Sequence, residues 1–164
     1  MSKEDTIIVS ADKDLRQIPG KHYNFVKEEL FEVTPLEGLR FFYKQTLIGD
    51  SSDNIYGVKG IGPVKAGKLI DCLDTEEEMY YTCRNLYKDD DRFHLNCKLL
   101  WILREDMKIW EPSQQLLAYY DQHKQQQVAE SETSDSQKTE SSENIGQEIS
   151  GSTVSGTKME PMAS

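Results

Sequence analysis

The spacing of apolar residues along the chain predicts a strand-bearing segment followed by a helical one. A short, β-branched apolar run at residues 6–10 is flanked by polar residues, as is typical of a buried strand. Residues 21–34 alternate between apolar and polar types closely enough to predict a small β-hairpin. Beyond residue 34 the apolar positions recur at three- and four-residue spacing, which predicts amphipathic helices.

Helix starts are marked by residues that can satisfy free backbone N–H groups. Thr34, Pro35 and Glu37 predict an N-cap, a first helical residue and a capping-box partner for a helix that runs to about Ile48. Gly49 can end that helix. Four further helices are predicted: over 63–72, over 76–87, after Asp89 and after Ser113. Thr75 and Glu78 would form a capping box at the start of the second of these. The inner face of the helix after Asp89 would consist of Phe93, Cys97, Leu100, Trp101 and Arg104.

The end of the chain has a composition that does not support a folded core. No aromatic residue follows Tyr120, and from residue 128 the sequence is mostly Ser, Thr, Glu, Gln and Gly. Such a segment cannot bury enough apolar surface to offset its ordering entropy. We therefore expect an acidic, disordered tail over residues 124–164.

Composition and charge exclude several functional classes. With 19 basic against 29 acidic residues and a formal net charge of −10, any nucleic-acid binding must depend on a local positive patch. No apolar run approaches the ~20 residues of a membrane span, and the first residues lack the apolar core of a signal peptide. Three cysteines without C-x-x-C spacing predict reduced core thiols in a cytoplasmic protein: Cys72, Cys83 and Cys97.

Two pairs of aspartates are candidate ligands for a hard divalent cation. Asp12 and Asp14 follow the predicted strand, and residues two apart in an extended chain point to the same side. Asp50 and Asp53 follow the first predicted helix, and residues three apart share a helical face. Four carboxylates from two element ends suit Mg²⁺ or Mn²⁺. Aspartate also forms turns by bonding nearby backbone N–H groups, and neither spacing alone separates that role from metal binding.

Residues 57–70 contain the most specific motif of the chain, with glycines and lysines interleaved. Two helices joined by a tight G-x-G turn would form a helix–hairpin–helix. A helix N-terminus with free N–H groups binds phosphate, and no acid lies between Val58 and Ile70 to cancel the lysines. A dinucleotide-binding loop would need a strand directly before it. The expected contacts to the DNA backbone are Lys59, Gly60, Ile61, Gly62, Lys65 and Lys68.

Three motifs occur in a fixed order and together resemble one nuclease family. They are Ile8–Leu15 (I-V-S-A-D-K-D-L), Leu47–Ile55 (L-I-G-D-S-S-D-N-I) and Gly57–Gly62 (G-V-K-G-I-G). In this order they resemble the C-terminal half of a bacteriophage-type 5′-nuclease. That family includes 5′→3′ exonucleases, flap endonucleases and the nuclease domain of bacterial DNA polymerase I. The resemblance covers about residues 6–110.

The resemblance implies an α/β fold in three parts. Residues 1–48 would be the C-terminal part of a Rossmann-like (PIN-like) nuclease core. Residues 49–123 would hold a metal-ligand turn and a mainly helical DNA-binding region with the helix–hairpin–helix (helix–three-turn–helix). Residues 124–164 would be the disordered tail.

The resemblance also implies a chemistry. In the family, two divalent ions, Mg²⁺ or Mn²⁺, activate water for attack on a DNA phosphodiester. Asp14, Asp50 and Asp53 match positions that hold one of these ions, and Asp12 matches an acid that supports the same cluster.

The glycine turn resembles one whose backbone carbonyls hold a monovalent ion, usually K⁺, that bridges to a duplex phosphate. The matching carbonyls here are those of Val58 and Ile61. The implied partner is duplex or 5′-flap DNA bound without sequence preference. The implied setting is the cytoplasm, that of a host cell for a phage protein, and no membrane is involved.

Part of the family pattern has no counterpart in this sequence. Family members carry further acids on earlier strands and a basic helical arch that threads the 5′ end, and all of these would precede Met1. We therefore expect either a fragment or one half of an enzyme whose N-terminal half is a separate polypeptide. A parallel sheet without its earlier strands would expose an apolar edge. The alternatives are a non-catalytic helix–hairpin–helix DNA-binding module and a remnant of a split gene.

Overall fold

The strands near the start of the chain form one sheet in the structure, a computed structural model that describes residues 6–104 and 108–127. The strands are β1 (Ile7–Val9), β2 (Gly20–Asn24) and β3 (Glu29–Val33). β1 pairs in parallel with β2, and β2 pairs antiparallel with β3. A 3-10 turn, Asp14–Gln17, lies between β1 and β2. The predicted first strand and the predicted hairpin are present, but the expected burial of the strand is wrong, because Ile7 and Val9 are exposed.

The rest of the described chain is mainly helical, and every predicted helix is present. The helices are α1 (Pro35–Ile48), α2 (Pro63–Ile70), α3 (Glu76–Leu86), α4 (Asp90–Leu100) and α5 over 114–127. A short hairpin that the periodicity did not predict, β4 (Gly49–Asp50) and β5 (Ile55–Tyr56), follows α1.

The described residues up to 122 belong to one compact unit. The predicted boundary between residues 48 and 49 falls inside this unit, between α1 and β4. Residues 124–127, which were assigned to the tail, continue the helical conformation of α5. The predicted disorder from residue 128 onward lies outside the described residues.

The starts of α1 and α3 have the capping boxes that the sequence predicts. The Thr34 amide donates to Glu37 Oε2 at 2.8 Å, and the Glu37 amide donates to Thr34 Oγ1 at 3.2 Å. Thr75 and Glu78 make the same reciprocal pair at 3.2 and 3.3 Å. The hydrogen bond from the Thr34 amide lowers the pKa of Glu37. These two helix starts are fixed by residues within one turn of each other, which is why sequence patterns locate them well.

Aromatic side chains fill the space between α1, α3 and α4. Phe42 and Tyr43 of α1, Tyr80 of α3 and Phe93 of α4 are completely buried. The ring centroids of Tyr80 and Phe93 lie 5.4 Å apart at an interplanar angle of 64°, an edge-to-face contact. Trp110 packs on the same cluster, with its ring centroid 6.0 Å from that of Phe42. We call these three helices and their aromatic core the helical body.

Gln17, the last residue of the 3-10 turn, ties that turn to the helical body. Its side chain is completely buried. Its Nε2 donates to Gln45 Oε1 at 3.0 Å and to the Leu100 carbonyl at 2.7 Å, and its Oε1 accepts from the Ile102 amide at 3.2 Å. Arg104 Nη2 donates to the Gln17 carbonyl at 2.6 Å. The turn between β1 and β2 is therefore held by residues far along the chain.

The sheet, in contrast, leaves large apolar side chains in contact with solvent. Val9 of β1 is 61% exposed and Leu30 of β3 is 65% exposed. β1 lies at the edge of the sheet, and no described residue pairs with its outer side. This arrangement agrees with the expected apolar edge.

Two sequence expectations about side chains are wrong. α4 ends at Leu100, so Arg104 lies in the segment after the helix rather than on its inner face. Cys72 is exposed because α2 ends at Ile70, whereas Cys83 and Cys97 are buried free thiols, as predicted. Burial raises the pKa of both buried thiols. None of the helices in the described ranges is both long and apolar enough to cross a membrane.

Candidate metal and nucleic-acid site

The segment after β1 is a chain of tight turns that delivers Asp14. Ser10 Oγ accepts from the Asp12 amide at 3.0 Å, and Asp12 Oδ1 accepts from the Asp14 amide at 2.9 Å. The second bond is a side-chain turn of the kind that aspartate commonly forms. Asp12 thus acts as a turn former in this structure, and the expected extended geometry for Asp12 and Asp14 is wrong, because Asp14 begins the 3-10 turn.

Asp14 and Asp50 come together on one side-chain ammonium group. Lys13 Nζ donates to Asp50 Oδ2 at 2.7 Å and to Asp14 Oδ1 at 3.0 Å. Gln45 Nε2 also donates to Asp14 Oδ1, at 2.9 Å, and the Ser52 amide donates to Asp50 Oδ1 at 2.9 Å. Two carboxylates from separate parts of the chain are therefore each held in place by a neutral donor and share one cation.

The electrostatics of this group follow from its hydrogen bonds. The bond to Asp50, followed by the bond to Asp14, raises the pKa of Lys13 to about 12. The bond from Lys13, followed by that from the Ser52 amide, lowers the pKa of Asp50. At neutral pH the group therefore consists of a charged ammonium and a charged Asp50 carboxylate.

Asp53 lies elsewhere. α1 ends at Ile48, and Asp53 is an exposed residue in the turn between β4 and β5, so the expected shared helical face with Asp50 is wrong. Asp53 borders an open cavity together with Asp89 and Asp91, whereas Asp50 and Lys13 border a different one. Across 6–104 and 108–127, no three His, Cys, Asp or Glu side chains are grouped closely enough to hold a metal ion. The four-aspartate ligand set, Asp12, Asp14, Asp50 and Asp53, remains a prediction.

The glycine turn joins β5 to α2, rather than joining two helices directly. The Val58 amide donates to the Leu47 carbonyl at 2.8 Å, and the Ile61 amide donates to the Val58 carbonyl at 3.1 Å. The Ile61 side chain is buried in the core. Gly57 lies so close to the carbonyl end of α1 that a Cβ would collide with backbone atoms there. Backbone bonds and packing thus fix the start of α2 against the end of α1.

Gly60 and Gly62 have different reasons to be glycine. Gly60 has a φ of 82°, which favours glycine. Gly62 is the N-cap of α2, in an extended conformation, and a Cβ there would meet no atom within 4 Å. It offers no side chain to the first-turn amides of α2, so these remain open to an external acceptor. Neither its backbone conformation nor close packing requires a glycine at position 62, so the fold alone does not explain the open space there.

The three lysines of the turn are exposed and available. Lys59, Lys65 and Lys68 all lie on the surface. In the described part of the chain none of them takes part in an ion pair. Their positive charge lies beside the uncapped start of α2, on an otherwise acidic chain.

A groove of about 600 Å³ lies between Asp50 and α2. Lys13 and Asp50 line one part of it, and Pro63 and Gly67 of α2 line another. The groove also contains residues that sequence reasoning missed as site residues: Lys13, Arg16, Lys44 and Gln45. Only Lys13 carried a local signal, its place between two aspartates, whereas nothing in the sequence pattern points to Gln45.

Sequence comparison finds relatives of the chain among DNA-processing proteins. It is 32% identical over 94 residues to flap endonuclease Xni of Shewanella frigidimarina, which is 52% of this chain and 37% of that protein. It is 32% identical over 91 residues to a 5′-3′ exonuclease of Bacillus subtilis, covering 48% of this chain and 31% of that protein. Against DNA polymerase I of Treponema pallidum the identity is 32% over 89 residues, covering 45% of this chain and 9% of that protein.

About half of the chain is therefore homologous to the 5′-nuclease group that comprises 5′-3′ exonucleases, flap endonuclease Xni and DNA polymerase I. The family resemblance drawn from the motifs is confirmed, whereas the bacteriophage qualifier is not, because these relatives are bacterial proteins. The chain spans about a third of the length of the exonuclease and flap endonuclease relatives and about a tenth of the polymerase. No family model and no solved structure matches it.

Proposed function

We propose that this chain is the DNA-binding and metal-binding portion of a divalent-metal-dependent 5′→3′ exonuclease or flap endonuclease. The observation that carries the proposal is the groove in which Asp50 and Lys13 face the same space as α2. The homology of half the chain to 5′-3′ exonucleases and flap endonuclease Xni supports the same reaction class. Phosphodiester hydrolysis needs a metal-binding group and a phosphate-binding surface side by side. In this groove a metal ion held by Asp50 would lie beside Pro63 and Gly67 of α2.

The carboxylate pair suits a hard divalent cation. Asp14 and Asp50 already converge on a cation, the Lys13 ammonium, and carboxylate oxygens are the ligands that Mg²⁺ and Mn²⁺ prefer. Gln45 and the Ser52 amide would orient the two carboxylates while they hold the ion. Asp53 and Asp12 would complete the cluster, as the family resemblance implies. When bound, the metal would lower the pKa of a water molecule and stabilise charge on the attacked phosphate.

The surface around α2 would hold the duplex. Lys59, Lys65 and Lys68 supply charge without base readout, and the α2 amides beside Gly62 supply phosphate donors. A monovalent ion, usually K⁺ in the family, would sit on carbonyls of Val58 and Ile61. The Val58 carbonyl already accepts from the Ile61 amide, so the ion would use its second lone pair.

Complete catalysis would require a further segment that covers the open edge of β1. Such a segment would supply a second metal-binding group and the arch that positions the 5′ end. Two-metal hydrolysis places the ions about 3.5–4 Å apart, and the described carboxylates converge in one pair only. We propose that a segment equivalent to the N-terminal half of the nuclease relatives supplies both features.

DNA binding is tested with the Lys59→Ala, Lys65→Ala, Lys68→Ala triple variant. Neutralising about three phosphates gives a log–log salt slope of about −3 for the unmodified chain, and the triple variant should lose most of it. The matched control replaces Lys21, Lys27 and Lys98, which are equally exposed and lie outside the turn. A triple variant that binds duplex DNA as the unmodified chain does would rule out this surface.

Hydrolysis is tested by release of label from a 5′-flap duplex with Mg²⁺. The chain alone should cleave slowly or not at all, and addition of an N-terminal nuclease segment from a relative should restore cleavage. Asp50→Asn should abolish the restored activity while DNA binding persists. Binding without cleavage in every mixture would favour the alternative, a non-catalytic DNA-binding module.

A further inference from the structure

We propose that Lys13 is a displaceable internal cation, which occupies the position between Asp14 and Asp50 until a divalent metal ion takes it. The inference rests on the metal site of the proposed function and adds a role for a residue that the motifs did not assign. It follows from the position of the ammonium group, which touches one carboxylate from each of two separate elements.

The geometry of the pair is close to what an ion needs. Asp50 Oδ2 and Asp14 Oδ1 lie 2.7 and 3.0 Å from the same nitrogen atom. Mg²⁺ binds oxygen at about 2.0–2.1 Å, so each carboxylate has to move inward by less than about 1 Å. A metal ion and the ammonium group cannot occupy this space together, because both are cations that use the same two oxygen atoms.

The two carboxylates are anchored independently of Lys13. Gln45 Nε2 holds Asp14 Oδ1, and the Ser52 amide holds Asp50 Oδ1, each at 2.9 Å. Asp50 is only 7% exposed, so its position is also restricted by packing. The site therefore persists when the ammonium leaves it.

Lys13 itself is free to leave. Its side chain is 64% exposed, and both of its bonds end in this carboxylate pair. Arg16 and the Lys44–Asp71 ion pair line the same groove, so an ammonium group released from the pair stays in a groove that borders α2. Metal binding would then move one positive charge from the carboxylates toward the DNA backbone.

Two consequences follow for the protein without DNA. Lys13 stabilises the metal-free state because it keeps two neighbouring carboxylates from repelling each other. It also weakens metal binding, because each metal ion must break two charged hydrogen bonds before it binds. Removal of the ammonium should therefore strengthen metal binding and destabilise the metal-free protein at the same time.

The experiment is a calorimetric Mn²⁺ titration of the full chain and three variants, with thermal unfolding measured with and without Mn²⁺. Lys13→Met removes the charge and keeps the length of the side chain, and Lys13→Arg keeps the charge. Lys44→Met is the matched control, since Lys44 lines the same groove and pairs with Asp71 at 2.7 Å. Its ammonium does not touch the Asp14–Asp50 pair.

Lys13→Met should bind Mn²⁺ about three- to tenfold more tightly than the unmodified chain, the factor that the loss of one partly exposed ion pair corresponds to. Lys13→Arg and Lys44→Met should stay within about twofold of the unmodified chain. The midpoint of thermal unfolding should fall for metal-free Lys13→Met and rise further on Mn²⁺ addition than it does for the unmodified chain.

The possible failures are distinguishable from one another. Equal or weaker Mn²⁺ binding by Lys13→Met overturns the displacement role and leaves the metal site itself intact. An equal gain in Lys44→Met shows that the groove responds to charge in general, which also overturns it. If no variant binds Mn²⁺, the metal site of the proposed function fails together with this inference.

Discussion

The sheet β1–β3 and the helical body bury their apolar side chains to very different degrees. Phe42, Tyr80 and Phe93 are completely inaccessible in the helical body, whereas Val9 and Leu30 of the sheet are more than half exposed. The three helices pack on one another, but the sheet has its main contact with them through the 3-10 turn, which touches α1. Most of the stabilising apolar burial therefore lies in the helical body, and the sheet is attached to that body mainly through the 3-10 turn.

The candidate site lies at that attachment. Asp14 begins the 3-10 turn and Gln17 ends it, while Asp50 directly follows α1. The Lys13–Asp50 and Gln17–Gln45 bonds are two of the side-chain links across this junction. The geometry of the candidate site thus depends on how firmly a thinly packed sheet is held to a well-packed body.

The largest effect is expected for Phe93→Ala in the helical body. Removal of a completely buried ring leaves a cavity, so the free energy of unfolding should fall by about 3–5 kcal/mol. The same change at Phe25, which is 56% exposed beside the sheet, should cost less than about 1 kcal/mol. Urea unfolding measures both, and similar losses would contradict the unequal division of stability.

Gln17→Leu should have the next largest effect, because it breaks the attachment. The change leaves the Leu100 carbonyl, the Ile102 amide and Gln45 Oε1 without the bond that Gln17 makes to each, and should lower the free energy of unfolding by about 2–4 kcal/mol. Gln114→Leu, at an exposed position of α5, is the control and should have little effect. A loss below about 0.5 kcal/mol at Gln17 would show that the junction is not structural.

These two regions also differ in how far the sequence predicts them. The start of α1 is correct because Thr34, Pro35 and Glu37 act within one turn, and the hairpin β2–β3 is correct because its alternation is local. The partners of Gln17 lie more than eighty positions away for Leu100 and Arg104, and no local pattern specifies them.

The candidate site also has residues that the sequence predicts and contacts that it does not. Asp14, Asp50 and the glycine turn were found from motifs, but the Lys13–Asp50 contact spans 37 positions and only the fold reveals it. Asp53 was misplaced because the two-residue strands of β4 and β5 are too short to show a period, so helical spacing was applied to two residues that follow the helix.

The helical body should also have a pH dependence, which arises from His94. Burial, followed by the charge of Arg84, lowers the pKa of His94, and Lys98 adds to this while Asp90 opposes it. Because the folded-state pKa lies below the unfolded value of about 6.5, stability is present above that pH and is lost as the pH falls through the folded-state pKa. One proton accounts for at most about 1.4 kcal/mol per pH unit.

The measurement is the midpoint of thermal unfolding between pH 7.5 and 5, for the unmodified chain and for His94→Gln. Glutamine can still bond the Tyr80 hydroxyl, which lies 3.2 Å from His94 Nε2, but it does not titrate. The difference between the two proteins should shrink toward acid pH. A constant difference would show that His94 protonates equally well in the folded and unfolded states.

The smallest effect on stability, and the sharpest test of the sheet, is expected for Val9→Lys at the edge strand. Val9 is 61% exposed, and the aliphatic part of a lysine can cover the same strand surface, so the free energy of unfolding should change by no more than about 0.5 kcal/mol. Val26→Lys is the matched control, since Val26 is 70% exposed in the turn between β2 and β3, away from that edge.

A charge on an edge strand opposes the addition of another strand. Only Val9→Lys should therefore weaken association with an N-terminal nuclease segment, measured by titration of the labelled segment. Equal association in both variants would place the partner elsewhere, and a stability loss above about 2 kcal/mol at Val9 would mean that β1 belongs to the core of this chain after all.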